Sequence, residues 1–221
     1  MSVPARFRTL GGEPSGARLL LVRHGEAVCN LAGIVGGTRG CTGLSDRGRA
    51  QARALGERLS ASGELSDVAA TYVSPLARAR ETADLVAAAV PGLPPARVAP
   101  DLEELRPGEA DGLTWAQLVA RFGGPNWDED PGAPLAPGGE SWLAFSQRCR
   151  AALEDLARAH PGERVVLFTH AGVIEHALRL AFPAPAGARL GLRTVHCSMT
   201  EVEVDGARRR LLRYNDVAPV P

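Results

Sequence analysis

The chain has 221 residues, and its 25 basic and 25 acidic side chains balance to a formal net charge of zero at pH 7. This balance gives no general attraction to nucleic acid or to an anionic membrane surface, so we expect neither as a partner. Every basic residue is an arginine, which excludes a P-loop and a Schiff-base mechanism because both need lysine. No apolar stretch approaches the roughly 20 residues that cross a bilayer.

The N-terminal residues 1–16 are polar and lack the apolar core of a signal peptide. We predict a flexible lead-in there, followed by a single domain over residues 17–221. The four cysteines lack the short paired spacings of zinc sites and disulfide frameworks; they are Cys29, Cys41, Cys149 and Cys197. We therefore expect free thiols, a cytoplasmic location, and neither a metal nor a cofactor.

Two apolar runs have the same form. Residues 19–22 are continuously apolar and lead into Arg23, His24 and Gly25, and residues 165–168 lead into Thr169 and His170. Continuous apolar runs of this length are typical of buried strands in a parallel sheet. Ligands bind at the carboxyl ends of such strands, so the pattern predicts two imidazoles facing one pocket.

The segments between these strands indicate alternating helices and strands. A glycine-rich stretch, 27–43, is too long for a tight turn and predicts a functional loop; within it Asn30 could contact a ligand or serve a turn. Ser45 opens a helix, and residues 67–73 form a second strand. Ser74 and Pro75 then predict an N-cap and a first helical position, which places Arg78 in the first helical turn.

The second half of the chain carries an irregular segment and a closing hairpin. Residues 91–100 are a proline-rich connection, and residues 101–141 are predicted to form a cap over the pocket or a loosely packed surface segment. A helix over 139–160, with Leu143, Leu153 and Leu156 facing the core, leads into the second histidine-bearing strand. A further helix spans about 173–180, and strands 195–204 and 208–214 form a hairpin. The order predicts an α/β fold with a mostly parallel central sheet.

Residues that converge at the strand ends favour phosphoryl transfer. The guanidinium groups of Arg23 and Arg78 match the geometry of phosphate oxygens. A neutral His24 beside them could attack phosphorus, while a carboxylic acid, Glu103 or Glu104, could protonate the leaving alkoxide. Since the cations come from the protein, a metal ion is not obligatory.

The motifs that carry these residues resemble the histidine phosphatase superfamily, the phosphoglycerate-mutase-like proteins. The resemblance runs from about Leu19 to the end of the helix after His170, and the motifs stand in the order found in that family. They are Arg23-His24-Gly25-Glu26, Leu44–Ala52, Ser74–Ala79, Gly138–Ser141 and Thr169–Gly172. The resemblance implies a three-layer α/β/α sandwich with an inserted cap segment at about 101–141.

The same resemblance implies a role for each residue. His24 would be phosphorylated during turnover, and Arg23, Arg78 and His170 would hold the phosphoryl group. Asn30 would be a lesser contact to the phosphoryl group. The proton donor of the family lies four residues before a glycine, so Gly108 selects Glu104 over Glu103. The expected enzyme is a metal-independent phosphomonoester hydrolase acting on a small phosphorylated substrate.

Three alternatives to a histidine-dependent hydrolase remain open. Cofactor-dependent mutases of the family typically carry an arginine and a tyrosine where this chain has Leu105 and Pro107, which favours hydrolysis over phosphate migration. Pro107, Ala110 and Asp111 also depart from the commonest phosphatase pattern. A non-catalytic binder of a phosphorylated ligand is another possible function, and Cys41 with Arg47 has the C-x5-R spacing of cysteine-dependent phosphatases.

His160, His176 and His196 are predicted to lie at a helix end, on a helix face and on a strand surface.

Overall fold

The computed structural model describes residues 15–182 and 191–217. Within these residues one six-stranded sheet forms the centre of the molecule, in the order β3-β2-β4-β1-β5-β6. The strands are β1 (Ala17–Arg23), β2 (Val68–Val73), β3 (Ala96–Val98), β4 (Arg164–Thr169), β5 (Met199–Asp205) and β6 (Arg208–Asp216). The first four strands in this order pair in parallel, and β5 and β6 add an antiparallel hairpin beside β1.

Helices cover both faces of the sheet. They are α1 (Val28–Leu31), α2 (Asp46–Ser62), α3 (Ala77–Ala89), α4 (Trp115–Phe122), α5 (Trp142–Ala159) and α6 (Ala171–Ala181), with short 3-10 helices at Pro100–Leu102 and Gly108–Ala110. Among the described residues, no helix combines the length and apolarity that crossing a bilayer would need.

Alternation along the central strands produces two hydrophobic cores. Leu19 and Leu21 of β1 pack with Val165 and Leu167 of β4 against α5 and α6. The intervening residues of both strands, Leu20 among them, face α2 and α3 on the other side. Because both faces are buried, neither strand needs polar positions, which explains the continuous apolar runs in the sequence. The predicted three-layer α/β/α fold is confirmed.

The structure corrects several local predictions. Helix α3 begins at Ala77 with Leu76 as its N-cap, so Ser74 and Pro75 lie just before the helix and not at its first positions. Leu143 is 37% exposed and does not belong to the core, whereas Leu153 is fully buried. The proline-rich connection contains β3, and the predicted irregular segment contains α4, whose N-cap Thr114 forms a capping box with Gln117. Most of the predicted lead-in lies outside the described residues, and the single-domain organisation stays a prediction.

A contact between two glycines brings α2 directly against the loop that follows β1. Ser45 caps α2 by accepting a hydrogen bond from the Gly48 N–H at 3.0 Å. A Cβ atom added to Gly48 would overlap the carbonyl oxygen of Glu26, and one added to Gly25 would lie 2.5 Å from the Gly48 oxygen. The absence of both side chains therefore fixes how closely α2 approaches the segment that carries His24.

We expect Gly48→Ala to destabilise the protein by roughly 1–3 kcal/mol, because the new methyl group must displace backbone atoms. The variant Arg53→Ala, on the exposed face of the same helix, should change stability by less than about 0.5 kcal/mol. Urea denaturation of both variants measures this. A more stable Gly48→Ala, as helix propensity alone would give, would contradict the close contact.

Candidate active site

The pairing of β1 with β4 places two histidines side by side. Arg23 lies opposite Thr169 in the register, and the His24 N–H donates to the Thr169 oxygen at 3.0 Å. His24 and His170 therefore leave neighbouring strands at the same level. Their ring centroids are 5.1 Å apart, and the two residues are 3% and 0% exposed. The structure thus brings the two predicted imidazoles together in a buried position.

Arg78 reaches this pair from the first turn of α3. Its Nε donates to His24 Nε2 at 3.1 Å, and its Nη1 donates to the carbonyl oxygen of Gly36 at 2.7 Å. The side chain is buried. A guanidinium group is thereby held against the reactive edge of the His24 ring by the loop that follows α1.

Hydrogen bonds define the protonation state of His24. Its Nδ1 lies 2.7 Å from the carbonyl oxygen of Gly25, which can only accept a hydrogen bond, so Nδ1 carries the proton. The lone pair is then on Nε2, where Arg78 donates to it. Burial holds the pKa of His24 well below its ordinary value of 6.5, and the positive charges of Arg78 and Arg23 lower it further. The ring is neutral at neutral pH.

His170 is held in place by Ser74, the residue at the exit of β2. Its Nε2 lies 2.7 Å from the Ser74 hydroxyl oxygen. The other ring nitrogen, Nδ1, is buried and has no hydrogen-bond partner in the described part of the chain. Burial lowers the pKa of His170 well below 6.5, with further contributions from Arg78 and His24. This imidazole is also neutral, and its Nδ1 is available for a hydrogen bond to a ligand.

Arg23 brings a second guanidinium to the same end of the sheet. Its Nη1 donates to the carbonyl oxygen of Thr194, in the segment that leads to β5. Burial lowers the pKa of Arg23 from its ordinary value, and the nearby charge of Glu104 opposes this effect. Arg23, Arg78, His24 and His170 therefore share one electrostatic environment, as the sequence predicted.

The two neighbouring glutamates have different surroundings. Glu104 Oε2 accepts the N–H of Gly172 at 3.1 Å, in the first turn of α6 just after His170. A Cβ atom on Gly172 would collide with the Glu104 carboxylate, so glycine is needed there. Glu103 instead accepts a hydrogen bond from Arg106 Nε at 3.1 Å. Of the two carboxylates, Glu104 is the one that lies beside the histidines.

Arg148 of α5 anchors the backbone that carries both glutamates. It donates to the carbonyl oxygens of Glu103 and Glu104 at 3.0 and 3.3 Å. Two further bonds, both 2.7 Å, join it to Glu140, which also accepts the backbone N–H of Arg106. Arg148 was not identified from the sequence, because its distance along the chain from residue 104 hides the contact.

Asn30, His196 and His160 agree with the sequence-based predictions to different degrees. Asn30 is exposed, and its amide oxygen accepts the Ala27 N–H at 3.1 Å as part of the cap of α1, so a phosphoryl contact stays a prediction. His196 does not lie on a strand: it precedes β5 in a turn, with its ring 5.7 Å from that of His24. The sequence analysis missed this neighbour. His160 lies at the end of α5, as predicted.

A carboxylate from the cap segment organises the loop that supports Arg78. Asp111 Oδ1 accepts the N–H groups of Gly37 and Gly40, both at 2.9 Å, and Oδ2 accepts the N–H of Arg39 at 2.8 Å. The loop at 36–40 thus wraps around one carboxylate, immediately beside the Gly36 carbonyl that holds Arg78.

The C-x5-R spacing of Cys41 and Arg47 does not produce a phosphate cradle. The Arg47 side chain is 74% exposed and lies 3.7 Å from Glu26. Cys41 is buried and accepts the backbone N–H of Arg78. The described residues also contain no group of three or more histidine, cysteine or acidic side chains placed to hold a metal ion.

Comparison with known proteins gives the class. The family model of the histidine phosphatase superfamily (branch 1) matches residues 19–217, and the chain belongs to this superfamily. The predicted family is confirmed.

Individual relatives include both phosphatases and mutase-like proteins. A metal-independent phosphoserine phosphatase of Arabidopsis thaliana is 36% identical over 181 residues, which cover 78% of this chain and 72% of the plant protein. Phosphoglycerate mutase-like protein 4 of the same plant is 35% identical over 175 residues, covering 76% and 72%. Among solved structures, a mycobacterial glucosyl-3-phosphoglycerate phosphatase in complex with VO3 superimposes with a TM-score of 0.73 at 28% identity, covering 90% of this chain and 99% of that one.

We expect the free energy of unfolding to fall as the pH drops from about 6.5 to 5.5. Four histidines, three buried and one half-buried, have lowered pKa values in the folded state, at about 4 for His176 and the half-buried His196 and well below 6.5 for His24 and His170. Below pH 6.5 the unfolded chain binds more protons than the folded one, so acidification favours unfolding, by up to about 1.4 kcal/mol per histidine per pH unit.

Urea denaturation at pH 7.5, 6.5 and 5.5 measures this dependence. The variant His176→Asn removes one titrating group, on α6, and should show a shallower slope. A stability that stays level between pH 6.5 and 5.5 would contradict the neutral, buried state of these rings.

Proposed function

We propose that the protein is a phosphomonoester hydrolase that acts through a phosphohistidine intermediate on His24. The observation that carries this proposal is the neutral His24 ring, with its proton on Nδ1 and its lone pair on Nε2, buried beside two guanidinium groups. A nucleophile of this kind needs no deprotonation before it attacks phosphorus. The presence of phosphatases among the relatives supports the same reaction class.

In the first step, His24 Nε2 attacks the phosphorus atom while the bond to the leaving oxygen breaks. The Arg78 N–H that lies 3.1 Å from Nε2 moves to a phosphoryl oxygen, which leaves the lone pair free. Glu104, in its protonated form, gives its proton to the departing alkoxide. The products of this step are the free alcohol and phospho-His24.

In the second step, water attacks the phosphorus of phospho-His24. Glu104, now a carboxylate, accepts a proton from the water as the P–N bond breaks. Inorganic phosphate leaves, and both His24 and Glu104 return to their starting states. The N–H of Gly172 that holds Glu104 fixes this carboxylate beside the histidines in both steps.

Charge neutralisation comes from the protein. Arg23 and Arg78 supply fixed positive charge, and in a buried site such charges act more strongly than in water. With the Ser74 hydroxyl donating to Nε2 of His170, the unpartnered Nδ1 of His170 carries a proton and donates it in a hydrogen bond to a phosphoryl oxygen. The scheme therefore contains no step that uses a metal ion.

The cap segment favours hydrolysis over mutase chemistry. Leu105 is half-buried and packs against the hydrophobic core, and Pro107 is buried. Neither residue offers a charge or a hydrogen-bond donor to a second acidic group of a phosphoglycerate. The substrate class that we propose is a small phosphorylated metabolite, as in the names of the phosphatase relatives.

We expect His24→Ala to lose phosphatase activity by roughly 1,000-fold or more, since it removes the nucleophile. The assay measures phosphate release from an aryl phosphate, phosphoserine and phosphoglycerate esters, in excess chelator, with His160→Ala as the matched control. Cys41→Ser should retain turnover. A His24→Ala variant as active as wild type would overturn the proposal, and phosphate migration without release would indicate a mutase.

We expect Glu104→Gln to slow the hydrolysis of alkyl phosphates by about 100-fold or more, because the leaving alkoxide loses its proton donor. The loss should be much smaller for a nitrophenyl phosphate, whose leaving group needs no proton. Glu103→Gln is the matched control and should keep near wild-type turnover on both substrates. If Glu103→Gln slowed the alkyl phosphates but not the nitrophenyl phosphate, the proton donor would be Glu103 and not Glu104.

A further inference from the structure

Two cysteines that are distant in the sequence lie in contact beside the phosphate site. Cys29 is in α1 and Cys41 is in the loop before α2; both are buried free thiols. The two side chains lie close enough that each thiol shifts the pKa of the other, and both are placed against Arg78: Cys41 Sγ accepts its backbone N–H, and Cys29 packs against the Gly36 backbone that holds its guanidinium. The other two cysteines are buried as well, Cys149 within the core of α5 and Cys197 before β5.

The surroundings of Cys41 stabilise a thiolate. Its Sγ accepts the backbone N–H of Arg78 at 3.4 Å, at the N-terminal end of α3. Helix N-termini and neighbouring cations favour the charged form of a thiol. The neighbouring Cys29 side chain and the nearby guanidinium of Arg78 lower the pKa of Cys41 to about 5, whereas the presence of Cys41 raises the pKa of Cys29. The pair therefore contains one nucleophilic sulfur and one neutral thiol.

Gly36 connects this pair to Arg78. A Cβ atom on Gly36 would lie 2.6 Å from Cys29 Sγ and 3.2 Å from Arg78 Nη1, so the backbone of Gly36 is packed between them. Its carbonyl oxygen accepts the hydrogen bond from Arg78 Nη1. A movement of either sulfur must shift the Gly36 backbone or the start of α3, and each of these positions Arg78.

A small oxidant has a route to Cys41. The residue lies in the wall of an open surface cavity of about 410 Å³, formed with Thr38, Pro75, Arg80 and Glu81 among others. This cavity is on the outer side of α3. Its lining does not include His24 or His170, so the route differs from the one that a phosphate ester would take.

We propose that Cys29 and Cys41 form an oxidation site for hydroperoxides, and that the resulting disulfide inactivates the phosphate site by displacing Arg78. The loss of activity rests on the proposed phosphatase function, whereas the formation of the disulfide does not.

The oxidation of the two cysteines to a disulfide takes place in two steps. The Cys41 thiolate attacks one oxygen of the hydroperoxide, the O–O bond breaks, and with one proton from solvent the products are a sulfenic acid and an alcohol, or water from hydrogen peroxide. Cys29 then attacks the Cys41 sulfur as a thiolate, its proton passing to the departing hydroxide, and the products are the disulfide and water. The two sulfur atoms lose two electrons in total, and the hydroperoxide gains them.

The disulfide changes the support of Arg78 in two ways. Forming the bond draws α1 and the loop around Cys41 together, which moves Cys29 relative to the Gly36 backbone that it contacts. It also removes the thiolate that accepts the Arg78 N–H. Displacement of a catalytic group by about 1 Å can cost on the order of 100-fold in rate, so we expect an activity loss of that size.

The test compares the full-length wild type with Cys29→Ser and with Cys149→Ala as the matched control. Each protein is treated with hydrogen peroxide, alkylated, and analysed by intact mass and peptide mapping. Turnover of an aryl phosphate is measured in parallel, before and after treatment with dithiothreitol. Isothermal titration with inorganic phosphate measures occupancy of the site without requiring turnover.

The expected result is a cross-linked pair of peptides containing Cys29 and Cys41, in wild type and in Cys149→Ala. These two proteins should lose activity by about 100-fold and recover with dithiothreitol, and phosphate binding should weaken. Cys29→Ser should form no such cross-link and should keep its activity after the peroxide is removed and dithiothreitol has reduced any sulfenic acid.

Three outcomes would overturn the proposal. In the first, both thiols can still be alkylated after peroxide treatment; in the second, the disulfide forms but activity and phosphate binding do not change. In the third, Cys29→Ser loses as much activity as wild type and dithiothreitol does not restore it. A wild type that forms the cross-link and binds phosphate less tightly, but never hydrolyses any ester, would support the oxidation site while refuting the proposed phosphatase. The two proposals therefore fail separately.

Discussion

The parallel hydrogen-bonded pairing of β1 with β4 is the constraint on which the site depends. Its register sets Arg23 against Thr169, and the next residue on each strand is a histidine that no longer belongs to the sheet. Because parallel strands end at the same edge, the two rings meet without any help from loop conformation. Ser74 at the exit of the adjacent β2 then reaches His170, and α3 follows with Arg78. The three neighbouring strands β1, β4 and β2 thus bring Arg23, His24, His170 and Arg78 to one edge of the sheet.

Burial and positive charge act together on these groups. A neutral imidazole has little to lose when it leaves water, whereas a charged one pays a desolvation penalty and repels the neighbouring guanidinium groups. The same arrangement therefore keeps both rings uncharged and keeps Arg23 and Arg78 as the positive centres. The arginines are held largely by backbone carbonyls, of Thr194 and Gly36, and their charge is left available to an incoming anion.

The parts of the fold set by local pattern were predictable, and the parts set by long-range contact were not. The apolar runs of β1 and β4, the Ser45 cap of α2 and the hairpin at Asp205 each have their cause in adjacent residues, and each was found. The start of α3 was wrong because Ser74 bonds to His170 in place of a helix N-terminus. The anchor at Arg148 and the contact of Cys29 with Cys41 depend on partners that are distant along the chain or on loop geometry, for which periodicity carries no signal. Helix α4 does have a local signal, the capping box of Thr114 and Gln117, which the sequence analysis missed.

The Asp111 carboxylate has a consequence for the dimensions of the site. One side chain from the cap segment accepts three backbone N–H groups of the loop at 36–40, whose first carbonyl steadies Arg78. The carboxylate therefore ties the loop to the cap segment, beside the backbone hydrogen bonds that join Val35 to Gly112 and Leu113. A glutamate at this position would be one methylene longer, so it could accept the same three N–H groups only if the loop moved away from the cap segment.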